Sequence, residues 1–413
     1  MTEHRNATPE SWTGVLAPSE IKPSERAARV RYAIRDVMVV AQQARAAGKR
    51  LIPLNIGDPL QFDFPTPEHI IEAVYRAMRA GYNGYAPSLG TEEAIEAIRS
   101  EATRQGIRNM QEIMVTYGAS EAIESALVSL LNPGENVLLP APGYPLYEAV
   151  LTKLGCEPLP YCLDESNGWQ PDLDDMARHI NNKTKGIVVI HPNNPTGAVY
   201  SKETLRGILD LAARHGLVVF SDEIYSKLLL DPVEFISIAS LAPEQPVVTF
   251  NGLSKAYLVP GFRIGWAILS GDARSVARYR EVLARILRSR LSVNHPAQFA
   301  IRPALEGSQE HIPQVVEKLR RRRDLTVSIL NAVPGVHCVS PQAAFYAFPR
   351  LDIARSDTEF VLDLIRETGV IVVPGEGFGQ AQGSRHFRLV FLPPEDTLRD
   401  ALHQIGEFAR KWK

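Results

Sequence analysis

Gly252-Leu253-Ser254-Lys255-Ala256-Tyr257-Leu258-Val259-Pro260-Gly261-Phe262-Arg263-Ile264-Gly265 sets a lysine and an arginine in one loop punctuated by glycine and proline. The loop joins two apolar runs, Val247–Phe250 and Trp266–Leu269, that read as strands. A lysine amine condenses with an aldehyde, and a guanidinium one loop away forks onto a phosphate. The pair therefore suits a bound aldehyde that carries a phosphate. A lone lysine in a loop is ordinarily just solvated, so the rest of the chain has to supply the other parts of such a site.

Working outward, short β-rich runs alternate with helical stretches from Ile113 onward. Ile113–Thr116, Asn136–Leu139, Gly186–Ile190 and Leu217–Ser221 join the two runs above as strands, and Ser120–Leu131 and Ser201–His215 are the clearest helices. Asn132-Pro133-Gly134 stops the first helix and Gly216 the second, while Ser201 caps the start of the latter. This alternation predicts an α/β fold, a large domain with a mainly parallel sheet covered by helices. Beyond a helix over Asp272–Leu287 the character changes. Helices over Lys318–Asn331 and Asp396–Trp412, with strands over Phe345–Phe348, Val370–Val373 and Phe387–Phe391, predict a smaller α+β domain. Met1 to Glu25 is polar and carries Pro9, Pro18 and Pro23, which reads as a flexible arm that orders against a partner subunit.

A chain of 413 residues, 45% hydrophobic and 22% charged, is long enough for two globular domains. Its net charge of −2 gives no reason to expect nucleic acid or anionic membrane as partner, so a small-molecule substrate is expected. The cysteines, Cys156, Cys162 and Cys338, are odd in number and form no CxxC pair. They suggest neither a disulfide framework nor a metal site, and a reducing cytoplasm is the natural setting. No apolar run approaches the ~18 residues needed to span a bilayer, and Met1–Glu10 lacks a secretory pattern.

In an open α/β sheet, ligands gather beyond the carboxyl ends of the strands, and the other suggestive clusters of the large domain fall at such ends. Gly118-Ala119-Ser120 opens the helix after the Ile113 run, so its N–H groups and the Ser120 hydroxyl can hold a phosphate; an ordinary helix start is the plainer reading. Ser221-Asp222-Glu223-Ile224-Tyr225 ends another strand. A carboxylate there can keep a pyridinium nitrogen protonated, although an isolated Asp-x-x-Tyr is more often a turn cap beside a core aromatic. His191-Pro192-Asn193-Asn194-Pro195-Thr196-Gly197 is stiff enough to hold an amide side chain still, or is simply a turn. Pro142-Gly143-Tyr144-Pro145 reads equally as a β-turn with an exposed tyrosine. In the smaller domain, His386-Phe387-Arg388 lies on a strand, where the arginine either sits at a sheet edge or forks onto a carboxylate.

In this order the motifs resemble those of the class I and II aminotransferases, the fold-type I pyridoxal phosphate (PLP) transferases, over residues 30 to 410. The resemblance implies pyridoxal 5'-phosphate as cofactor and Lys255, Asp222 and Tyr225 as catalytic residues. Asp222 then binds the pyridine nitrogen, Tyr225 and Asn194 the ring oxygen, and Tyr144 stacks on the ring. Gly118, Ala119, Ser120, Ser254 and Arg263 hold the phosphate. Tyr85, in Asn83-Gly84-Tyr85-Ala86-Pro87-Ser88-Leu89-Gly90, reaches the phosphate of the neighbouring subunit, which implies a homodimer with shared active sites. Gly57, Asn194 and Arg388 bind substrate. One local departure is Gly252, where some members carry a phosphate-binding serine; Ser254 compensates in part. The implied organisation is an N-terminal arm (1–28), the first part of a small domain (29–75), a large PLP-binding domain (76–290) and the rest of the small domain (291–413).

Val373-Pro374-Gly375-Glu376-Gly377-Phe378-Gly379, followed by Gly383, His386-Phe387-Arg388 and Leu392-Pro393-Pro394, looks more like alanine aminotransferases than like the dicarboxylate-specific aspartate enzymes. The expected reaction is transfer of an amino group from a small amino acid, alanine favoured, to 2-oxoglutarate by ping-pong kinetics. There is no unambiguous counterpart of the second arginine that dicarboxylate-specific members lend across the subunit interface, although Arg288 and Arg290 lie in a plausible stretch and either suits a distal carboxylate. The alternatives are an aspartate, broad-specificity or branched-chain aminotransferase, or a PLP-dependent β-lyase on the same fold. A ligand-sensing transcription regulator needs a DNA-binding module, and the residues before Arg26 are too few to build one.

Overall fold

The protein is described here by a computed structural model covering residues 21–30 and 33–412. Eight strands make its main sheet: β1 (Met110–Tyr117), β2 (Asn136–Ala141), β3 (Glu157–Asp164), β4 (Gln170–Pro171), β5 (Thr184–Ile190), β6 (Val218–Asp222), β7 (Val247–Gly252) and β8 (Ile264–Ser270). They lie in the order β1-β8-β7-β6-β5-β2-β3-β4. Successive residues in a strand face opposite ways. Leu138, Ile187, Val189, Val219 and Val247 accordingly join one core, and Val137, Val188, Ile190, Phe220 and Val248 the other. Helices α1 (Gly118–Leu130), α2 (Leu146–Leu154) and α4 (Ala277–Ser289) cover the second face and α3 (Lys202–His215) the first. Each Val, Leu, Ile or Phe buried this way contributes about 1.5–3 kcal/mol.

Strand direction decides where the loops meet. β2, β5, β6 and β7 run parallel, and β8 lies antiparallel between β7 and β1. The carboxyl ends of β1, β2, β5, β6 and β7 and the amino end of β8 therefore share one edge of the sheet. Lys255, which follows β7, and Arg263, which precedes β8, arrive at that same edge.

The expected strands and helices are present with shifted ends, except that the one strand expected over Val370–Val373 is two, Val370–Ile371 and Val373–Pro374, in different sheets. Ser201 accepts from the Thr204 N–H at 3.1 Å and Gly216 closes α3 at φ 63°. β3 and the two-residue β4 were not among the expected strands, and Pro158 and Pro160 are unusual within the former. Its neighbour β4 pairs only with Leu163 and Asp164, so both prolines lie on the open edge of the sheet, where no ladder N–H is needed. α4 begins at Ala277 rather than Asp272, whose carboxylate instead accepts the N–H groups of Arg274 and Ser275 in a turn. The helix expected from Lys318 starts earlier, at His311.

In the smaller unit β9 (Tyr346–Ala347), β10 (Val373–Pro374) and β11 (Phe387–Val390) form an antiparallel sheet in the order β9-β11-β10. Ile52–Pro53 pairs in parallel with Val370–Ile371, so residues from both ends of the chain build it together. Most of the expected arm, residues 1–20, lies outside the described residues. Its remainder carries a short helix, Glu25–Ala28, with Ser24 as N-cap. Among the described residues, no helix is long and apolar enough to cross a membrane.

Candidate active site

A cavity of about 400 Å³ opens where the strand ends converge, between the main sheet and the smaller unit. Lys255, Asp222, Tyr225, Asn194, Tyr144, Ala119, Ser120, Ser254, Arg263, Gly57 and Arg388 all line it. Motifs dispersed over more than 300 residues of sequence thus meet at one place.

Its floor is an amine facing a carboxylate. Lys255 Nζ donates to the Gly57 carbonyl at 2.8 Å and stands 5.5 Å from the Phe345 ring centre. Burial pulls its pKa down to about 8; Asp58 opposes this, and Arg388 and Arg263 reinforce it. A fraction of the amine is therefore neutral near pH 7, as a base or nucleophile requires. Asp222 ends β6 and is 4% exposed. Its carboxylate accepts the Ile224 N–H at 3.4 Å and the Tyr147 hydroxyl at 3.3 Å. Burial pushes its pKa up to about 6, against those two hydrogen bonds and the charge of Lys255. It remains ionised at pH 7 in a dry setting, where a ring N–H⁺ is a favourable partner.

One end of the cavity suits a phosphate. Gly118 at φ 71° begins α1, a helix of 13 residues, and a Cβ there would lie 2.5 Å from Arg263 Nη2. Only glycine lets the guanidinium come so close to the helix start, where the dipole favours an anion. Arg263 itself sits at φ 53° and donates to the Tyr117 and Pro260 carbonyls, each at 3.3 Å.

Packing accounts for the departure at Gly252. A Cβ on this residue would stand 2.8 Å from the Ile264 carbonyl oxygen and 3.0 Å from Gly265 Cα. Gly265 in turn abuts the backbone of Gly118 and Ala119. Two facing glycines in β7 and β8 thus let the sheet press against the phosphate-side turn.

The opposite end suits a carboxylate. Arg388, on β11, is 1% exposed, with its guanidinium carbon 4.6 Å from the Tyr346 ring centre and 4.8 Å from that of Phe378. It donates to Asn194 Oδ1 at 3.3 Å and to the Asn55 carbonyl. The Tyr225 and Tyr346 hydroxyls lie 2.8 Å apart.

Three residues singled out in the sequence are placed elsewhere. Tyr85 is 81% exposed and lines a separate depression with Tyr117 and Asn294, so it does not serve the cavity of its own chain. Arg290 is committed within its own chain, to Glu121 at 3.1 Å and to the Ser88 and Val115 carbonyls at 2.8 Å; Arg288 is exposed at the end of α4. Neither lines the cavity.

Tyr147, Tyr346, Asn55 and Asp58 were missed by sequence reasoning. Tyr147 lies in the first turn of α2, three residues beyond the loop residue Tyr144, and its hydroxyl reaches the Asp222 carboxylate. The β9–β11 register sets Tyr346 opposite Val390 and therefore diagonal to Arg388 on one face, a pairing that no local pattern reveals.

The model of the aminotransferase class I and II family matches residues 49–405. The glutamate-pyruvate aminotransferase AlaA of Escherichia coli K12 is 40% identical over 399 residues, 94% of this chain and 98% of that protein. The solved alanine aminotransferase from Pyrococcus furiosus superposes with a TM-score of 0.91 at 40% identity, covering 94% of this chain and all of the other. A single mutant of Thermus thermophilus aspartate aminotransferase gives a TM-score of 0.85 at 34% identity over 94% of this chain and all of its own. Family, fold and converging side chains agree: the chain belongs to the class I and II aminotransferases and is a pyridoxal-phosphate-dependent transaminase.

Proposed function

We propose that the protein carries pyridoxal 5'-phosphate on Lys255 and moves the amino group of a small amino acid, alanine favoured, to 2-oxoglutarate in two successive half-reactions. The convergence of Lys255, Asp222, Arg263 and Arg388 on one cavity carries this reading. The kinship with alanine and glutamate-pyruvate enzymes supports the choice of substrate.

When bound, the cofactor supplies an electron-withdrawing ring that acidifies the substrate's Cα–H bond. The chain's own groups do the rest. Arg388 forks onto the α-carboxylate, a task for a planar guanidinium, and Asn194 fixes its orientation. Once the substrate amine has displaced it from the cofactor, Lys255 Nζ would be free to take the Cα proton and pass it to the cofactor, as its lowered pKa permits. Asp222 holds the pyridine N–H⁺, Tyr225 and Asn194 donate to the ring oxygen, and Tyr144 stacks on the ring. Gly118, Ala119, Ser120, Ser254 and Arg263 bind the phosphate.

In the same reading the protein is a homodimer. Tyr85, Ile71, Tyr75, Met78, Tyr82 and Leu291 are exposed apolar side chains, of the kind a second copy would cover while Tyr85 reaches its phosphate. The division into an arm, a large cofactor domain and a two-part small domain belongs to this proposal, supported by the pairing of Ile52–Pro53 with Val370–Ile371. So does a cytoplasmic setting, supported by the free thiols of Cys156, Cys162 and Cys338.

Lys255→Ala is expected to lose the cofactor's lysine-dependent absorption and to lower turnover by at least ~10²–10⁴. Near-normal turnover overturns the assignment. Rates with alanine, aspartate, valine, glutamate and aromatic donors against 2-oxoglutarate and pyruvate decide the substrate pair. Release of ammonia and pyruvate from a cysteine-type substrate, with no aminated cofactor, favours the β-lyase instead.

A further inference from the structure

We propose that Tyr346 is a positioning residue for this chemistry: its hydroxyl sets the donor strength of Tyr225 toward the cofactor's ring oxygen, and its ring holds the guanidinium of Arg388. The inference rests on the assignment of Tyr225 made above.

Tyr346 touches three working parts of the cavity at once. Its hydroxyl lies 2.8 Å from that of Tyr225, with both side chains buried. Its ring lies 4.6 Å from the Arg388 guanidinium carbon. A Cβ on Gly57 would collide with its hydroxyl, so it also packs on the residue whose carbonyl holds Lys255 Nζ. The side chain comes from β9 of the smaller unit, whereas Tyr225 follows β6 of the main sheet.

Proton counting then fixes a direction. A phenol has one hydrogen to donate and lone pairs with which to accept. If Tyr225 gives its hydrogen to a ligand oxygen, the bond between the two hydroxyls requires Tyr346 to be the donor. A phenol that accepts a hydrogen bond becomes a stronger donor itself, because hydrogen bonds in a chain polarise one another. Burial keeps Tyr225 protonated, which preserves it as a donor. The stronger this donor, the less negative charge the ring oxygen retains, and the less tightly a proton is held on the adjacent lysine nitrogen. The ring of Tyr346 has a separate task, since a desolvated cation over an aromatic face is held more firmly than one in water.

The test compares the holoenzyme with Tyr346→Phe, Tyr225→Phe, the double variant and Tyr346→Leu. The readouts are the pH midpoint of the bound cofactor's visible absorption and KM for alanine. Tyr346→Phe removes one oxygen and keeps the ring, so the midpoint is expected to rise on the order of half a pH unit. KM should stay within about twofold, because the ring contact with Arg388 survives. In the Tyr225→Phe background the same change is expected to add nothing. Tyr346→Leu removes the ring as well and should raise KM about 3- to 30-fold. An unmoved midpoint in Tyr346→Phe, beside a shifted one in Tyr225→Phe, overturns the relay and leaves the reading of Tyr225 intact. If neither variant moves it, the role of Tyr225 fails and the relay with it. Additive shifts in the double variant also overturn the relay, and an unchanged KM in Tyr346→Leu overturns the role of the ring.

Discussion

The two arginines at opposite ends of the cavity are held in opposite ways. Arg263 is exposed, on a left-handed backbone, and its guanidinium contacts lie in its own loop and at the nearby start of α1. Arg388 is enclosed by Asn55, Asn194, Tyr346 and Phe378, residues drawn from distant parts of the chain. Water screens the first charge and can replace its contacts when it is removed. No such replacement reaches the second, where, in the proposed reading, a ligand carboxylate would form its ion pair at low dielectric. On the proposed function the wet end would therefore hold an anion through several small contributions, and the dry end through one large one.

Arg388→Ala is the severest way to break this contrast. Truncating one partner of a buried, hydrogen-bonded charge pair costs about 2–5 kcal/mol, so KM for amino acids is expected to rise by about 10²–10³. Arg388→Lys should recover little of this, because an ammonium neither forks nor stacks between two rings. Arg263→Ala should be milder, weakening cofactor binding about 10- to 100-fold, as the loss of one charge-assisted hydrogen bond predicts. Its wild-type counterpart should also lose affinity as salt rises from 0.05 to about 0.5 M, whereas KM at the Arg388 end should change far less. Equal salt sensitivity at both ends, measured by cofactor titration and steady-state kinetics, contradicts the contrast.

The same division governs how far the sequence could be read. Gly118-Ala119-Ser120, Asp222-x-x-Tyr225 and Lys255 with Arg263 are short contiguous motifs at strand ends. Once the alternation of strands and helices was recognised, their meeting at one edge followed from chain direction. The main sheet was legible for the same reason, except for β3, whose prolines are tolerated because its neighbour β4 is so short, and for the two-residue β4 itself. The dry end is assembled from Asn55, Asn194, Tyr346 and Arg388, and only Asn194 and Arg388 lay in recognisable motifs. Tyr346 enters through a β9–β11 register that is fixed by tertiary packing, and Tyr147 through a helix whose inward face is not marked by hydrophobicity alone. Arg290 shows the opposite error. Its position suggested a ligand contact, but its guanidinium is spent on Glu121 and two carbonyls.

A smaller effect sharpens the picture of the wet end. Restoring the serine that some relatives carry, by Gly252→Ser, supplies a hydroxyl but drives its Cβ to 2.8 Å from the Ile264 carbonyl oxygen. The neighbour is backbone and cannot swing away, so the variant is expected to lose about 1–3 kcal/mol of stability, as overpacked sites do. Phosphate affinity should not improve, since the two strands must part and carry Gly265 away from the start of α1. A stable variant with tighter cofactor binding, seen by thermal melting and titration, would show that the sheet yields where the contact distances say it does not.

The smallest expected effect concerns the floor between the two ends, and its sign follows from proton binding. Without cofactor, the Lys255 pKa falls to about 8 from 10.5 in the folded chain. Between those values the unfolded chain binds a proton that the folded chain has shed, so stability rises with pH across that window. For Asp222 the pKa rises from 3.8 to about 6, so between these values the folded chain keeps a proton that the unfolded chain has lost. Stability falls as pH climbs through that range. From pH 6 to 8 both groups are charged and poorly solvated, which is where a ligand that pairs the carboxylate and engages the amine stabilises the fold most. Denaturant midpoints of the cofactor-free protein from pH 4 to 10 are expected to show both slopes. Asp222→Asn should lessen the acid one, to which Glu223, pushed up to about 7 by burial, also contributes, and Lys255→Met should flatten the alkaline one. An alkaline rise undiminished in Lys255→Met would place its origin in another group and leave the amine at position 255 as well hydrated as any surface lysine.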